Sequence, residues 1–277
     1  MAMSMQWTQD AEEAVKKVPF FVRKRVRARV EKEAREAGKA LVGLADVKAT
    51  QQRYLKGMAS EIKGYQLDMC FGPAGCPNRI EPDSETLGKR IEALLRKADL
   101  AGDLKSKGIR ELKFHHEFRV TLADCPNACS QPQIKDIGII AALFPIAGNV
   151  QCTGCRACVT KCREKALSLA PQDLEPALHS ERCVACGQCI TACPTGFLAN
   201  GVKGYRIQLG GKLGRHPRLA RELPGIYDAQ TVLDIVAACL KLYKSMGIRG
   251  ERFGELLNPA DFKMLADRFG PRSLLKQ

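Results

Sequence analysis

The 277-residue sequence predicts an α+β protein, interrupted by a cysteine-dense module and preceded by a small helical region. Three observations lead there. The N-terminal segment is charged and helix-prone, the hydrophobic period beyond it switches between that of a helix and that of a strand, and eight of the thirteen cysteines crowd between Asn149 and Asn200.

Composition narrows the classes. At 45% hydrophobic the chain can bury a real core. No stretch approaches the roughly 20 apolar residues that a membrane span needs, and Met1 to Asp10 lacks the apolar run of a secretory signal, so a cytoplasmic protein without membrane insertion is expected. In a reducing compartment clustered thiols bind metal or do redox chemistry, and an odd count of thirteen does not suit a disulfide scaffold. A net charge of +14 points to an anionic ligand. Nucleic acid is not expected, because no aromatic-interleaved basic motif, zinc-finger spacing or recognition-helix pattern is present.

The elements follow in order. Asp10 to Gly38 is helical in character, with a broken apolar stripe of Phe20, Phe21, Val22, Val26 and Val30 beside a solvated basic face. After Pro82, Asp83 or Ser84 caps a helix running to about Ala98, with Leu87, Ile91, Leu94 and Leu95 on one face. From Glu111 to Leu122 apolar residues alternate with polar ones, which predicts a strand leading straight to Cys125. Ile137 to Leu143 reads as a short buried strand ended by Pro145 and Gly148, and Tyr205 to Leu209 as another, with Arg206 and Gln208 on its second face. A helix from Asp228 to Met246 closes at Gly247 and carries Cys239 on its apolar face as a core residue.

Inside the module, Cys152-x2-Cys155-x2-Cys158-x3-Cys162 is followed by Cys183-x2-Cys186-x2-Cys189-x3-Cys193-Pro194. This is the bacterial two-cluster ferredoxin pattern, in which the fourth thiolate of each run serves the other cube. One [4Fe-4S] cluster is expected on Cys152, Cys155, Cys158 and Cys193, the other on Cys183, Cys186, Cys189 and Cys162. A zinc site would need two CxxC pairs closing one tetrahedron, which this doubled order does not fit. Arg163 stands where proline usually follows the ligand Cys162, a change that bears on the hydrogen bonding around that cluster.

The remaining four are Cys70-x5-Cys76 and Cys125-Pro-Asn-Ala-Cys129. With the run from Phe118 to Cys129, Ile137-Gly-Ile, the insertion and Tyr205-Arg-Ile-Gln-Leu-Gly-Gly-Lys-Leu-Gly in that order, the chain resembles siroheme sulfite and nitrite reductases. It is most similar to the catalytic subunit of small anaerobic, assimilatory-type sulfite reductases, over about residues 60 to 250. The resemblance implies a mixed-sheet domain with a third [4Fe-4S] cluster on Cys70, Cys76, Cys125 and Cys129, whose Cys129 also bridges to siroheme. It also implies a small anionic substrate (sulfite or nitrite), six-electron reduction, and an electron-donor protein or partner subunit, with an oligomer left open. Siroheme is rich in carboxylates, so Arg79, Lys135, Lys212, Arg215 and Arg218 are candidate partners with Arg119, while Asn127 joins the cofactor-binding set and Gly210, Gly211 and Gly214 permit close backbone approach.

The N-terminus departs from that family. Full-length members have a ferredoxin-reductase-like half ending in a Thr-Thr-Arg-Gln type stretch whose arginine holds the substrate. Here Trp7-Thr-Gln-Asp-Ala-Glu-Glu-Ala-Val-Lys-Lys-Val-Pro-Phe-Phe-Val-Arg resembles instead the C-terminal domain of the light-independent protochlorophyllide reductase B subunit. Replacements for the missing arginine are sought in Lys48, Arg53 and Lys56, with Lys63 and Arg119 as further contenders; Arg53, Lys63 and Arg119 are the catalytic candidates. The expected organisation is a helical domain over 1–50, a siroheme/[4Fe-4S] domain over 51–148 and 201–277, and the ferredoxin insert over 149–200. The rival expectation is a non-catalytic three-cluster electron-transfer subunit of a larger redox complex, and a third is a tetrapyrrole-related role unconnected with sulfite.

Overall fold

The computed structural model describes residues 5–80, 83–109, 111–246 and 250–270, without the side chains of Phe21 and of residues 54–61. The chain forms two compact units, Met1–Ile62 and Lys63–Gln277. In the first, strand β1 (Gln6–Trp7) pairs in parallel with β2 (Leu41–Val42), and helices α1 (Gln9–Lys16), α2 (Phe20–Glu36) and α3 (Leu44–Glu61) surround them. Thr8 caps α1 by accepting the Ala11 N–H, and the Asp46 carboxylate accepts the Gly43 N–H where α3 begins. Pro19 divides the charged N-terminal segment into two helices, since proline has no N–H to continue α1 but suits the entry to α2. Ala11, Val15, Val30, Ala34, Val42 and Val47 form the small core. The expected apolar stripe holds at Val30, but Phe20 is 81% exposed because it opens α2 rather than continuing α1.

The second unit is built on a five-stranded mixed sheet in the order β3-β4-β5-β8-β9. Its strands are β3 (Tyr65–Met69), β4 (Phe118–Ala123), β5 (Ile137–Ala147), β8 (Leu198–Leu209) and β9 (Arg221–Glu222). β3, β4 and β5 are parallel, and β8 returns antiparallel to both β5 and β9. Helices α4 (Ser84–Ala98) and α5 (Leu100–Ser106) make the β3-to-β4 crossover that parallel pairing requires. α4 begins where the sequence places it and buries Leu87, Ile91 and Leu95. α8 (Ala229–Met246) buries Val232, Ile235, Val236, Leu240 and Tyr243 together with Cys239, the last as expected; Gly247 and Pro82 lie outside the described residues. Burial alone raises the Cys239 thiol to about 12, which suits an inert core residue. Short helices α9 (Phe253–Leu256) and α10 (Pro259–Phe269) close the unit, with Phe253 packed against Phe118 and Tyr243 at ring separations of 5.5 and 6.3 Å.

Two sequence expectations are corrected. The alternation from Glu111 does not make a strand until Phe118, because the Lys113 N–H donates to His116 Nδ1 at 3.1 Å and the His116 N–H to the Lys113 carbonyl at 2.8 Å. These bonds close a 3-10 turn over Phe114–His116. β5 and β8 are also longer than expected. They form a ribbon from Ile137↔Leu209 out to Ala147↔Leu198, passing Pro145 through a register shift that accommodates its missing N–H. The cysteine-dense stretch closes the far end of this ribbon.

Candidate iron–sulfur and siroheme site

Because β3 and β4 are parallel, the cysteines that follow them emerge at the same end of the sheet. Cys70 continues β3 and keeps a ladder bond to the Leu122 carbonyl at 3.0 Å, while Cys125 follows β4 by one residue. The N–H groups of Gly72 and Asp124 donate to Cys70 Sγ at 3.3 and 3.2 Å, and the Asn127 amide donates to Cys129 Sγ at 3.0 Å. Burial raises the Cys125 thiol, and the nearby charges of Cys76, Cys129 and Cys70 raise it further. Cys70, Cys76 and Cys129 thus all lie near Cys125. Ala128 sits at φ 54° between Asn127 and Cys129, a left-handed turn that an L-residue adopts only at a cost of about 1–2 kcal/mol. Beside Cys70 lies an open depression of about 850 Å³ of atom-free space lined by Met69, Phe71, Pro73, Ala74 and Glu85, with Phe71 73% exposed.

The inserted stretch repeats itself in three dimensions. Gly154 and Ala185 follow Cys152 and Cys183 by two residues, both are left-handed, and each donates its N–H to that cysteine's sulfur, at 3.5 and 3.4 Å. Arg156 and Gly187, next after Cys155 and Cys186, are left-handed as well. Each loop then enters a five-residue helix, α6 (Ala157–Lys161) or α7 (Gln188–Ala192), and the fourth cysteine of each run accepts a later N–H: Ala166 to Cys162 at 3.2 Å, Leu198 to Cys193 at 3.5 Å. Successive left-handed and right-handed residues aim backbone N–H groups into a concavity that favours anionic sulfur. Two-stranded β6 (Leu167–Ser168) and β7 (Ala177–Leu178) complete the module.

Cysteines of the two halves lie near one another. Burial raises Cys158, and the charges of Cys193 and Cys152 add to it; burial likewise raises Cys183, with Cys186 and Cys162 adding. Cys189 is pushed to about 12 by burial, then by Cys186 and Cys183. Cys162, Cys183, Cys186 and Cys189 also line one hollow with about 350 Å³ of atom-free space, counting its open mouth. Among the described residues no three His, Cys, Asp or Glu side chains are close enough to hold a single metal ion. The donors of the insert are thiols whose sulfurs accept backbone N–H groups at Cys152, Cys162, Cys183 and Cys193, a chemistry that fits iron–sulfur ligation.

The candidate cations fall into two groups. Lys135 pairs with Asp68 at 2.5 Å, Lys212 with Glu255 at 2.5 Å and Arg79 with the buried Asp124 at 3.4 Å. Arg215 is exposed at the tip of a hairpin closed by reciprocal 2.9 Å bonds between Lys212 and Arg218. Gly210 and Gly211 are zipped to the Asp136 and Lys135 carbonyls at 2.9 and 2.8 Å, and a side chain at Gly211 would strike the Gln133 carbonyl; Gly214, left-handed at φ 106°, has open space around it. Arg218 donates to the Leu257 carbonyl at 3.4 Å.

Among the catalytic candidates, Arg119 is tied by its backbone N–H to Asp136 at 2.8 Å and by Nη2 to the Phe114 carbonyl at 3.4 Å, while its Nε is buried with no acceptor. That orphaned donor fits an anion. Arg119 shares a sheet face with Thr121, whose hydroxyl donates to the Ser130 carbonyl next to Cys129. Lys63 has an exposed side chain, and its N–H donates to the buried Glu117 at 3.2 Å. Arg53 lies in the first unit, where it clamps Glu33 at 2.5 Å, and Lys48 is exposed there; the Lys56 side chain lies outside the described residues.

Sequence reasoning passed over three groups. Asp136 is fully buried and pairs with Arg252 at 2.6 Å, and Arg221 lies over the Phe262 ring at 4.1 Å beside Arg218. Arg206 joins Glu222 to the insert by donating to the Val184 carbonyl at 3.0 Å. No spacing in the sequence connects these partners.

Fold and family together place the chain among oxidoreductases built on an α+β mixed sheet. Residues 66–276 match the family model described as the nitrite and sulphite reductase 4Fe-4S domain, and the chain belongs to that family. Residues 7–50 match the model described as the proto-chlorophyllide reductase 57 kD subunit. The coenzyme F420-dependent sulfite reductase of Methanocaldococcus jannaschii is 33% identical over 54 residues, 20% of this chain and 9% of that one. The B subunit of the light-independent protochlorophyllide reductase of Chlorobium limicola is 58% identical over 43 residues, 16% of this chain and 8% of that one. The matched stretches thus span less than a tenth of these relatives' length. The crystal structure of dissimilatory sulfite reductase I aligns over 81% of this chain and 58% of its own, with 15% identity and a TM-score of 0.47.

Proposed function

We propose that this chain is the siroheme- and [4Fe-4S]-binding catalytic module of a reductase that converts sulfite, or as second choice nitrite, in a six-electron reaction. The observation that carries the proposal is the convergence of Cys70, Cys76, Cys125 and Cys129 at one end of the parallel strands, within a family described by its 4Fe-4S domain. When bound, siroheme and its cube would supply the iron at which the anion is reduced and the path by which a donor's electrons reach it. Cys70, Cys76 and Cys125 hold the cube, and Gly72 and Asp124 stabilise the Cys70 thiolate by donating to it. Cys129, exposed and oriented by Asn127, would be the thiolate that also serves siroheme.

Arg119 offers its orphaned Nε to the substrate anion and neutralises its charge, and Lys63 is the candidate proton donor. Arg53 is already committed to Glu33 and is the weaker candidate. Arg215 and Arg218 meet siroheme carboxylates from the hairpin, whereas Arg79, Lys135 and Lys212 must share themselves with carboxylates they already hold. The eight cysteines of the insert hold two further [4Fe-4S] clusters, on Cys152, Cys155, Cys158 and Cys193 and on Cys183, Cys186, Cys189 and Cys162, and accept electrons from a donor protein. Those same three ion pairs favour one second reading, a three-cluster electron-transfer subunit, because they leave fewer cations for siroheme.

Cys129→Ser in anaerobically purified protein tests the assignment. The expected result is loss of magnetic coupling between cube and haem by Mössbauer and EPR spectroscopy, with sulfite reduction abolished. Full activity with coupling retained would remove Cys129 from the bridging role, and unchanged kinetics in Arg119→Ala would return that residue to the scaffold.

A further inference from the structure

The two halves of the insert are alike in spacing and backbone, and the loop of the second is paired directly with β5. The Leu143 N–H of β5 donates to the Ala185 carbonyl at 2.7 Å, and Leu143 bridges Cys186. Gly187 lies so close that a side chain there would meet Leu143 within 2.8 Å. Pro145 of β5 lines the same hollow as Cys162, Cys183, Cys186 and Cys189. The corresponding loop of the first half, Thr153 to Arg156, carries the exposed Cys155, and Gly154 has open space around its Cα.

One side chain spans the joint. Arg206, on β8 opposite Ile140, donates Nη1 to the Val184 carbonyl at 3.0 Å, one residue beyond Cys183. Its Nε and Nη2 form a two-point pair with Glu222 of β9 at 2.6 and 2.7 Å, and Gln208 donates to the same carboxylate at 3.0 Å. A guanidinium gripped on two nitrogens is fixed in direction, and at 20% exposure its charge is poorly screened. Glu222 holds the far edge of the fork and Val184 the near edge, so the positive end faces the Cys183 loop.

We infer that Arg206, held by Glu222, is a positioning residue that docks the second half of the insert on the sheet and raises the reduction potential of the cluster bound by Cys162, Cys183, Cys186 and Cys189. This rests on the proposed function above and deepens it by making that cluster the sheet-side station of the relay, with the Cys152, Cys155, Cys158 and Cys193 cluster outermost. A fixed cation favours the more negative, reduced form of a nearby cluster, which biases electron residence toward the sheet.

The test is an EPR-monitored redox titration of anaerobically purified full chain as wild type, Arg206→Gln, Arg206→Lys and Glu222→Gln. Cys186→Ser marks which signal belongs to the sheet-side cluster. At a fixed potential near its midpoint, Arg206→Gln is expected to lower that cluster's reduced-to-oxidised ratio about tenfold, which is about 59 mV for one electron. Arg206→Lys restores most of the shift, and the other midpoints stay in place. If Arg206→Gln fails to accumulate, Glu222→Gln, which frees the guanidinium, is expected to move the same signal alone. The inference is overturned if all midpoints match wild type with full iron content, or if the outer cluster moves instead. Absence of any cubane signal from wild type would instead sink the cluster reading itself, a separate outcome.

Discussion

Replacing Asp136 with alanine removes the acceptor of three hydrogen bonds at once: Arg252 Nη2 at 2.6 Å, Arg252 Nε at 3.2 Å and the Arg119 N–H at 2.8 Å. The carboxylate is fully buried and the Arg252 side chain is 16% exposed, so water cannot readily replace what is lost. Removing one partner from a buried pair costs about 3–5 kcal/mol, because the remaining charge stays desolvated. For a unit of this size that lowers the thermal midpoint by about 6–20 °C. Asp136→Asn keeps an acceptor for Arg119 and loses less. The loss also frees the entry to α9 and unpins the backbone of Arg119, so sulfite turnover should fall even where the variant remains folded. Thermal unfolding followed by circular dichroism, with Asp267→Ala at the exposed Lys263 pair as control, measures the effect. A midpoint for Asp136→Ala within about 2 °C of wild type would refute the reasoning that this pair anchors α9 and Arg119.

Three further outcomes follow from the geometry. Glu33 is held down to about 2 by the Thr50 hydroxyl, with Arg53 and Arg29 contributing. A depressed carboxylate stabilises above its unfolded value, so this contribution, reduced by solvent screening to about 1 kcal/mol, should be present at neutral pH and lost as pH falls from 4.5 toward 2, an effect that Glu33→Gln removes in urea titrations across that range. Gly187→Ala meets Leu143 as well as paying for its φ of 67° and should destabilise by more than Gly154→Ala, where the left-handed backbone alone costs about 1 kcal/mol; equal unfolding midpoints would contradict this. Removing iron with a chelator under reducing conditions should expose the cysteine-dense stretch to proteolysis while the sheet persists, because the core beneath it is small and residues packed in or against it, Cys158, Cys189, Cys162 and Cys193 among them, are expected cluster ligands. Mass spectrometry of the fragments reads the outcome.

What the sequence disclosed was what local spacing can carry. The α4 and α8 stripes and the core position of Cys239 all depend on residues a few positions apart, and the structure has them in place. The turn at Phe114–His116 was hidden because its alternation suits a strand equally well, and only the His116 ring on the Lys113 N–H decides between them. Pro145 read as a stop because a proline removes one ladder bond, yet the bulge beside it lets β5 run on to Ala147. Partners remote in sequence were not legible at all. Lys135 finds Asp68, Lys212 finds Glu255 and Arg206 finds Val184 through sheet topology, so which cations are already engaged could be learned only from the fold.

The central claim is that Cys70, Cys76, Cys125 and Cys129 hold the cube of a siroheme centre. Acid–acetone extraction of protein purified anaerobically from a siroheme-competent host, with iron and acid-labile sulfide determined on the same sample, tests it most directly. The account predicts one siroheme per chain together with iron and sulfide for three cubes. Iron and sulfide at that level with no extractable siroheme would contradict it and leave the chain as an electron carrier.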